Sequence, residues 1–131
     1  MVNERPLVIV DAANVVGSVP DGWWRDRHGA AVRLRDALVP LAGEGLPGLP
    51  GPVELVLVVE GAARGVAPVP GVRVDPAPGS GDDRIVELAS AAGGRACVVV
   101  TADRELRRRV EAHGARCLGP RTVWPLPPPR A

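Results

Sequence analysis

The chain has 131 residues, is 46% hydrophobic and carries a formal net charge of +1, so we expect one soluble, cytoplasmic domain and not a strongly basic nucleic-acid binder of the histone kind. All its basic side chains other than histidine are arginines, which excludes a Walker A site, a Schiff-base lysine and a kinase-type lysine. No apolar run approaches the ~20 residues that a membrane span needs.

The first predicted element is a buried strand. Leu7 to Val10 is an unbroken aliphatic run with no polar face, a pattern typical of a strand buried on both sides of a parallel sheet. The strand ends at Asp11, and Asn14 follows three residues later. Because α/β domains bind their ligands at the carboxyl ends of the strands, we expect both side chains at a ligand-binding edge.

A turn-rich loop from Gly17 to His28 follows and contains two adjacent tryptophans, Trp23 and Trp24. Adjacent side chains cannot both face inward on a regular element, so we expect one to pack on the core and the other to line the edge, where an indole can stack on a nucleobase. The alternative is that both tryptophans only anchor the loop. Arg25 and Arg27 are either phosphate contacts or solvated surface arginines.

Amphipathic spacing predicts a helix that begins near residues 26–29 and reaches Val39, where Pro40 ends or kinks it. Gly43 to Pro52 is rich in glycine and proline, and we interpret it as a loop. Val53 to Glu60 is the second buried strand, and like the first it is closed by an acid, here Glu60.

Two more strand-to-helix junctions carry acids. A short edge strand, Val72 to Val74, precedes a helix that begins at Asp82 and Asp83, with Ser80 as its expected N-cap. A third buried run, Ala96 to Thr101, is followed by Asp103 at the start of another helix.

The end of the chain is predicted to contain one last strand and an irregular tail. Gly114 is the expected C-cap of the preceding helix, and Ala115 to Leu118 is the strand. From Gly119 onward the chain is rich in proline, which cannot join a sheet interior, so we expect an extended or disordered tail. Cys97 and Cys117 lack metal-type spacing and are expected to be reduced thiols.

Strands that alternate with helices predict a three-layer α/β/α domain with a mostly parallel sheet of about five strands. Right-handed crossovers then bring the four acidic junctions to one edge of the sheet. Asp82, Asp83 and Asp103 can each be explained alone as acids that stabilise the start of a helix. Together, however, crowded carboxylates repel one another unless a cation offsets their charge, and hard oxygen ligands favour Mg²⁺ or Mn²⁺ over zinc.

Three segments resemble a known family. VIVDAANVVGS (8–18) resembles the opening D-x-x-N strand of the PIN-like NYN nucleases, particularly the YacP-like branch, while SGDDRI (80–85) and VTADRELR (100–107) resemble two later motifs of that superfamily. The resemblance implies a single PIN-like domain over residues 1–131, which cleaves RNA internally in a metal-dependent reaction.

Carried over residue by residue, the resemblance implies a catalytic set and a metal-binding set. The catalytic residues are Asp11, Asn14, Asp82 and Asp103; the ligands of Mg²⁺ or Mn²⁺ are Asp11, Glu60, Asp82, Asp83 and Asp103. Residue chemistry adds the expected RNA contacts, because indoles stack on bases and guanidinium groups bind phosphates: Trp23, Trp24, Arg25, Arg104 and Arg108. Glu60 stands where aspartate is more usual, and Ser80 where many relatives have an acid or threonine. RNA is the expected partner, together with a homodimer or a ribosome- or translation-associated partner.

Two rival interpretations remain open. A PIN-like domain that has lost turnover would bind RNA or protein without cleaving it, which the unusual Glu60 and Ser80 favour. A small-molecule α/β enzyme such as a phosphatase would need a D-x-D nucleophile motif after the first strand, and Asp11-Ala-Ala does not supply one.

Overall fold

A computed structural model describes residues 5–124. Its strands are β1 (Leu7–Asp11), β2 (Gly45–Leu46), β3 (Leu49–Pro50), β4 (Glu54–Val59), β5 (Val72–Pro76), β6 (Cys97–Val100) and β7 (Arg116–Leu118). Five of these form one sheet in the order β5-β4-β1-β6-β7, in which every pairing is parallel. The predicted five-stranded sheet is confirmed, and β5 lies at its edge as expected.

Helices cover both faces of this sheet. They are α1 (Ala12–Gly17), α2 (Arg27–Glu44), α3 (Gly81–Ala91) and α4 (Arg104–Glu111), with short 3-10 turns at Trp23–Arg25, Gly61–Ala63 and Pro120–Thr122. Because alternate residues of a strand face opposite sides, Val8 and Val10 pack in one core with α1 and α2, whereas Ile9 packs in the other with α3 and α4. This arrangement confirms the three-layer α/β/α prediction.

Helix α2 continues past Pro40 to Glu44, so of the two predicted alternatives, that this proline ends or kinks the helix, the first is wrong. Leu41 and Ala42 in the last turn pack against the core next to β4, which holds the helix together beyond the proline. The segment predicted as a Gly/Pro loop forms the antiparallel pair β2–β3. Gly45 begins that pair with φ +82°, and a Cβ there would overlap the Leu49 carbonyl oxygen.

Two other local features differ from the sequence analysis. Residues 12–17 form α1, because Asp11 caps the helix and Val15 and Val16 are buried; no element was predicted for residues 12–16, and the predicted loop began at Gly17. Helix α4 ends at Glu111 with Ala112 as its C-cap, and Gly114 instead adopts a left-handed conformation (φ +87°) in the turn that follows.

The segment after β7 is not extended as far as Trp124. Pro120–Thr122 form a 3-10 turn, Val123 is buried and Trp124 packs against the α1–α2 core. These apolar contacts hold the segment on the domain, which proline content alone did not predict. The remaining prolines of the tail, from Pro125 onward, lie outside the described residues.

Within residues 5–124, no helix combines the length and apolar character that crossing a bilayer requires. Cys97 on β6 and Cys117 on β7 are free thiols.

Candidate active site

Asp11 ends the central strand and is buried, with 5% of its surface exposed. Its Oδ1 accepts a hydrogen bond from the backbone N–H of Asn14 (3.3 Å), and its Oδ2 accepts one from the Thr101 hydroxyl (3.0 Å). The pKa of Asp11 is raised to about 6. Burial is the main cause, the charges of Asp82 and Glu60 add to the rise, and the two hydrogen bonds oppose it. Asp11 is therefore a carboxylate held in place at an energetic cost.

The strands β1 and β6, joined through this contact, flank the point where the strand order reverses. From β1 the chain moves to β4 and β5 on one side, then crosses to β6 on the other. Asn14 spans the same boundary, because its side-chain Oδ1 accepts the backbone N–H of Ala102 (2.8 Å). Open α/β sheets bind ligands at such a switch point. Here the Asn14 side chain links the helix that follows β1 to the loop that follows β6.

Glu60 follows β4 and contacts the start of α3. Its Oε2 accepts the backbone N–H of Gly81 (2.6 Å), where the helix dipole favours a negative charge. A Cβ on Gly81 would come within 3.3 Å of the Glu60 carboxylate. The glycine thus permits the close approach that fixes Glu60 at the helix terminus.

Asp82, in the first turn of α3, is the carboxylate that connects the others. Burial raises its pKa, and the charges of Asp103 and Glu60 raise it further, while Arg109 opposes the shift. Asp82 also raises the pKa of Asp11. Among the described residues, no hydrogen bond or close ion pair to the Asp82 carboxylate is present, so this side chain is the one most free to meet a ligand.

Asp103 and Asp83 each lie at the start of a helix, and each carboxylate already has a partner in the chain. Asp103 caps α4, with Oδ1 accepting the backbone N–H groups of Glu105 and Leu106 at 3.0 Å each, while its own N–H donates to the Thr101 hydroxyl (3.2 Å). Asp83 is exposed and pairs with Arg109 (2.9 Å). Ser80 caps α3 as predicted, accepting the Asp83 N–H.

We call Asp11, Glu60, Asp82 and Asp103 the acidic rim. These four acids lie at the carboxyl edge of the sheet, and electrostatic interactions through Asp82 connect them. Asp83, the fifth predicted ligand, is committed to Arg109 instead. Within residues 5–124, no three His, Cys, Asp or Glu side chains stand in an arrangement that could hold a metal ion.

A cavity of about 370 Å³ adjoins the acidic rim. We call it the Trp23 pocket; it is lined by Ala12, Ala13, Val16, Trp23, Arg27, Ala31, Glu60, Gly61, Ala63 and Gly79. Trp23 packs on the core, as predicted for one of the two tryptophans, whereas Trp24 is 52% exposed. The tryptophan that lines the pocket beside the acidic rim is the core-packed Trp23 and not its neighbour, contrary to the predicted division of roles. The two rings meet edge to face, with centroids 6.0 Å apart.

Exposed arginines lie beside the two tryptophans and on α4. The guanidinium of Arg27 lies over the Trp23 ring at 5.2 Å from its centroid, and that of Arg25 lies over Trp24 at 5.7 Å. Arg104 and Arg108, both predicted as RNA contacts, are exposed on the first two turns of α4. Their positions leave them accessible to a polyanion.

Sequence reasoning missed Thr101 and Arg109 and left Arg27 undecided. Thr101 is fully buried and joins Asp11 to Asp103, which are 92 positions apart in the chain, so only the tertiary contact reveals its role. The one local signal was its place directly before Ala102 and Asp103 at the end of a buried strand.

Comparisons with protein-family models and with curated proteins find no match to this chain. Among solved structures, it is similar to Rae1 (YacP) from Bacillus subtilis, with a TM-score of 0.70 and 19% identity over 89% of this chain and 70% of that one. A tryptophan-to-leucine mutant of Rae1 gives a TM-score of 0.66 at the same identity and coverage. This likeness shows that the chain has the fold of YacP.

Proposed function

We propose that the chain is a divalent-metal-dependent ribonuclease that cleaves RNA internally at the acidic rim. The observation that carries the proposal is that carboxylates from four separate segments lie at the switch point of the sheet and repel one another there. Two further findings support it: the fold is that of YacP, and three sequence motifs resemble the YacP-like branch of the NYN nucleases.

The donor chemistry of the acidic rim fits Mg²⁺ or Mn²⁺, because hard cations take carboxylate oxygens as ligands. Asp11, Asp82 and Asp103 would hold the metal, with Glu60 beside them and Asp83 contributing through water. Because no three of the described side chains already stand in a metal-holding arrangement, these carboxylates would have to move closer together when the ion binds. Asp82 brings a carboxylate without a competing hydrogen bond among the described residues, and Asp103 uses only Oδ1 for its cap. A cation would also relieve the repulsion that raises the pKa values of Asp11 and Asp82.

When bound, such an ion supplies charge neutralisation at the scissile phosphate and an acidified water. The chain itself orients the ligands: Thr101 fixes Asp11, and the Gly81 N–H fixes Glu60. Asn14 keeps α1 against the loop that carries Asp103. Arg25, Arg104 and Arg108 contact phosphates, and Trp23 and Trp24 contact bases. The cytoplasmic location, a homodimer and a ribosome- or translation-associated partner stay predictions.

The decisive experiment is cleavage of a labelled single-stranded RNA by the purified chain with Mg²⁺, with Mn²⁺ and with a chelator. We expect cleavage only with a metal, and a loss of more than about 100-fold in Asp82→Asn and Asp103→Asn, beyond the losses typical for residues that merely support metal ligands. Asparagine caps helices as well as aspartate does, so Asp103→Asn should keep α4 intact.

Asp36→Asn is the matched control, because Asp36 is an exposed acid on α2 whose ion pair with Arg35 lies outside the acidic rim. This variant should cleave like the unmodified chain. Cleavage that persists in the chelator, or in Asp82→Asn at the unmodified rate, would contradict the proposal.

The second candidate is an RNA- or protein-binding module without turnover. It is favoured by the absence of a ready three-ligand metal arrangement within residues 5–124 and by the use of Glu60 and Asp103 as hydrogen-bond acceptors for helix termini. RNA binding without cleavage in any of the metal conditions would identify this candidate.

A further inference from the structure

We infer that the Trp23 pocket binds one unstacked nucleobase and thereby restricts the substrate to single-stranded RNA. The inference rests on the proposed function in taking RNA as the ligand. It adds a separate subsite beside the acidic rim, and it can be tested in the absence of metal and of cleavage.

The shape of the Trp23 pocket suits a flat aromatic guest. Its volume of about 370 Å³ lies at the lower end of the ~300–1,000 Å³ that small-molecule sites span. Alanines and glycines supply much of the lining, so little side-chain bulk occupies the space, and the indole of Trp23 is the aromatic ring among the lining residues. A nucleobase can lie against an indole because every base has a π-face.

The charges around the Trp23 pocket select a nucleotide over an uncharged apolar ligand. Arg27 lines the pocket with its guanidinium over the Trp23 ring, and Arg25 is placed in the same way over Trp24. Both arginines are exposed. A base inserted into the pocket stacks on the indole or on the Arg27 guanidinium plane, and its phosphates meet these cations.

Position links the pocket to the acidic rim. Glu60 belongs to both, and Gly79 lines the pocket two residues before the helix α3 that carries Asp82. One strand of RNA can therefore place a base in the Trp23 pocket and a neighbouring phosphate near the acidic rim. A base-paired strand cannot, because its bases remain stacked inside the duplex.

The test uses fluorescence anisotropy of a labelled ten-nucleotide RNA of mixed sequence, in chelator so that no cleavage occurs. Two comparison probes are an abasic ribose-phosphate strand of equal length and charge, and the same RNA as a duplex. We expect the single strand to bind about 5- to 150-fold more tightly than the abasic strand, the range expected for one stacked base, and more tightly than the duplex.

A variant that fills the pocket locates the effect. Ala13 lines the pocket yet is exposed on α1, so Ala13→Leu should fold and obstruct the base. It should reduce binding of the single strand to the level of the abasic strand. Ala37→Leu, at an exposed position of α2 outside the pocket lining, is the matched control and should bind like the unmodified chain.

Equal affinity for the abasic and base-bearing strands, tighter binding of the duplex, unchanged binding by Ala13→Leu, or no RNA binding at all would each overturn the inference. The cleavage assay with metal remains separate. Base-dependent binding without cleavage would support base binding in the Trp23 pocket and contradict the proposed nuclease function. Cleavage without base-dependent binding would support the nuclease function and contradict base binding in the pocket.

Discussion

At the scale of single residues, Asp11 shows how the chain gives up stability at its site. The carboxylate is 5% exposed and receives only two hydrogen bonds, while neighbouring acids repel it. Its pKa rises from 3.8 to about 6. A rise of this size corresponds to roughly 3 kcal/mol of preference for the protonated form in the folded state.

The sign of this preference sets a pH dependence for stability. Well below pH 3.8, Asp11 is protonated in both the folded and the unfolded chain. The stabilisation that comes from its raised pKa in the folded state is therefore fully present there. As the pH rises toward and past 6, the unfolded chain releases the proton first and is favoured. The free energy of unfolding contributed by Asp11 is therefore lost between about pH 4 and pH 7.

Asp11→Asn should remove this loss and keep the shape of the side chain. We expect the variant to be more stable than the unmodified chain at pH 7.5, by up to about 3 kcal/mol, and to lose less stability as the pH rises. Urea unfolding in chelator from pH 4.5 to pH 8 measures both effects. Asp36→Asn should retain the original slope; an Asp11→Asn profile parallel to that of the unmodified chain would refute the assignment.

Thr101→Val tests the hydroxyl that joins Asp11 to Asp103. The valine leaves the Asp103 N–H without its acceptor and Oδ2 of Asp11 without its donor, which should cost about 1–3 kcal/mol. Because the lost hydrogen bond lowered the pKa of Asp11, the destabilisation should grow between pH 5 and pH 8. Thr101→Ser keeps the hydroxyl and should show no such growth in the same urea titration.

At the scale of elements, Pro40 is a local conflict inside α2. A proline in a helix interior lacks the N–H that would bond to the carbonyl of Asp36, and its ring crowds that carbonyl. Pro40 is exposed, so removing it disturbs no core contact. We expect Pro40→Ala to stabilise the chain by about 1–3 kcal/mol, measured by thermal unfolding, with Ala37→Gly on the same helix shifting stability in the opposite direction.

The elements that could be predicted from sequence are those whose burial is indicated by an unbroken run of apolar residues. Leu7 to Val10 and the run that forms β6 are apolar on both faces, and only a two-sided sheet buries such runs. The missed elements depend on distant contacts. Helix α2 continues beyond Pro40 because Leu41 and Ala42 pack against the core. Pro120–Thr122 form a turn next to Val123, which is buried.

At the scale of the whole molecule, parallel strands explain why the position of the acids at one edge of the sheet could be predicted. Acids that follow different strands must meet at one edge, and Asp11, Glu60, Asp82 and Asp103 do so. Side-chain direction was not predictable in the same way. Asp83 is adjacent to Asp82 in sequence, yet the nearby Arg109 of α4 draws it into an ion pair outside the acidic rim.

Metal binding should appear as a change in global stability. If the acidic rim holds Mg²⁺ or Mn²⁺ only when folded, metal at ten times its dissociation constant adds about 1.4 kcal/mol to the free energy of unfolding. The melting temperature at pH 7.5 should rise with metal and rise less at pH 5, where Asp11 holds its proton. Differential scanning fluorimetry measures both.

Asp82→Asn should reduce this metal-induced rise, and choline chloride at equal ionic strength should not reproduce it in the unmodified chain. An equal rise in the unmodified chain and in Asp82→Asn would show that metal acts elsewhere.

The central position of β1 has a consequence for how the chain assembles during synthesis. Both hydrogen-bonding partners of this first strand, β4 and β6, are translated later, and β6 ends only at Val100. A nascent chain that has released β4 but not β6 leaves one edge of an apolar strand open to pairing with other polypeptides. Premature termination before residue 97 should therefore yield fragments that aggregate, with Asp11 lacking the threonine that completes its environment.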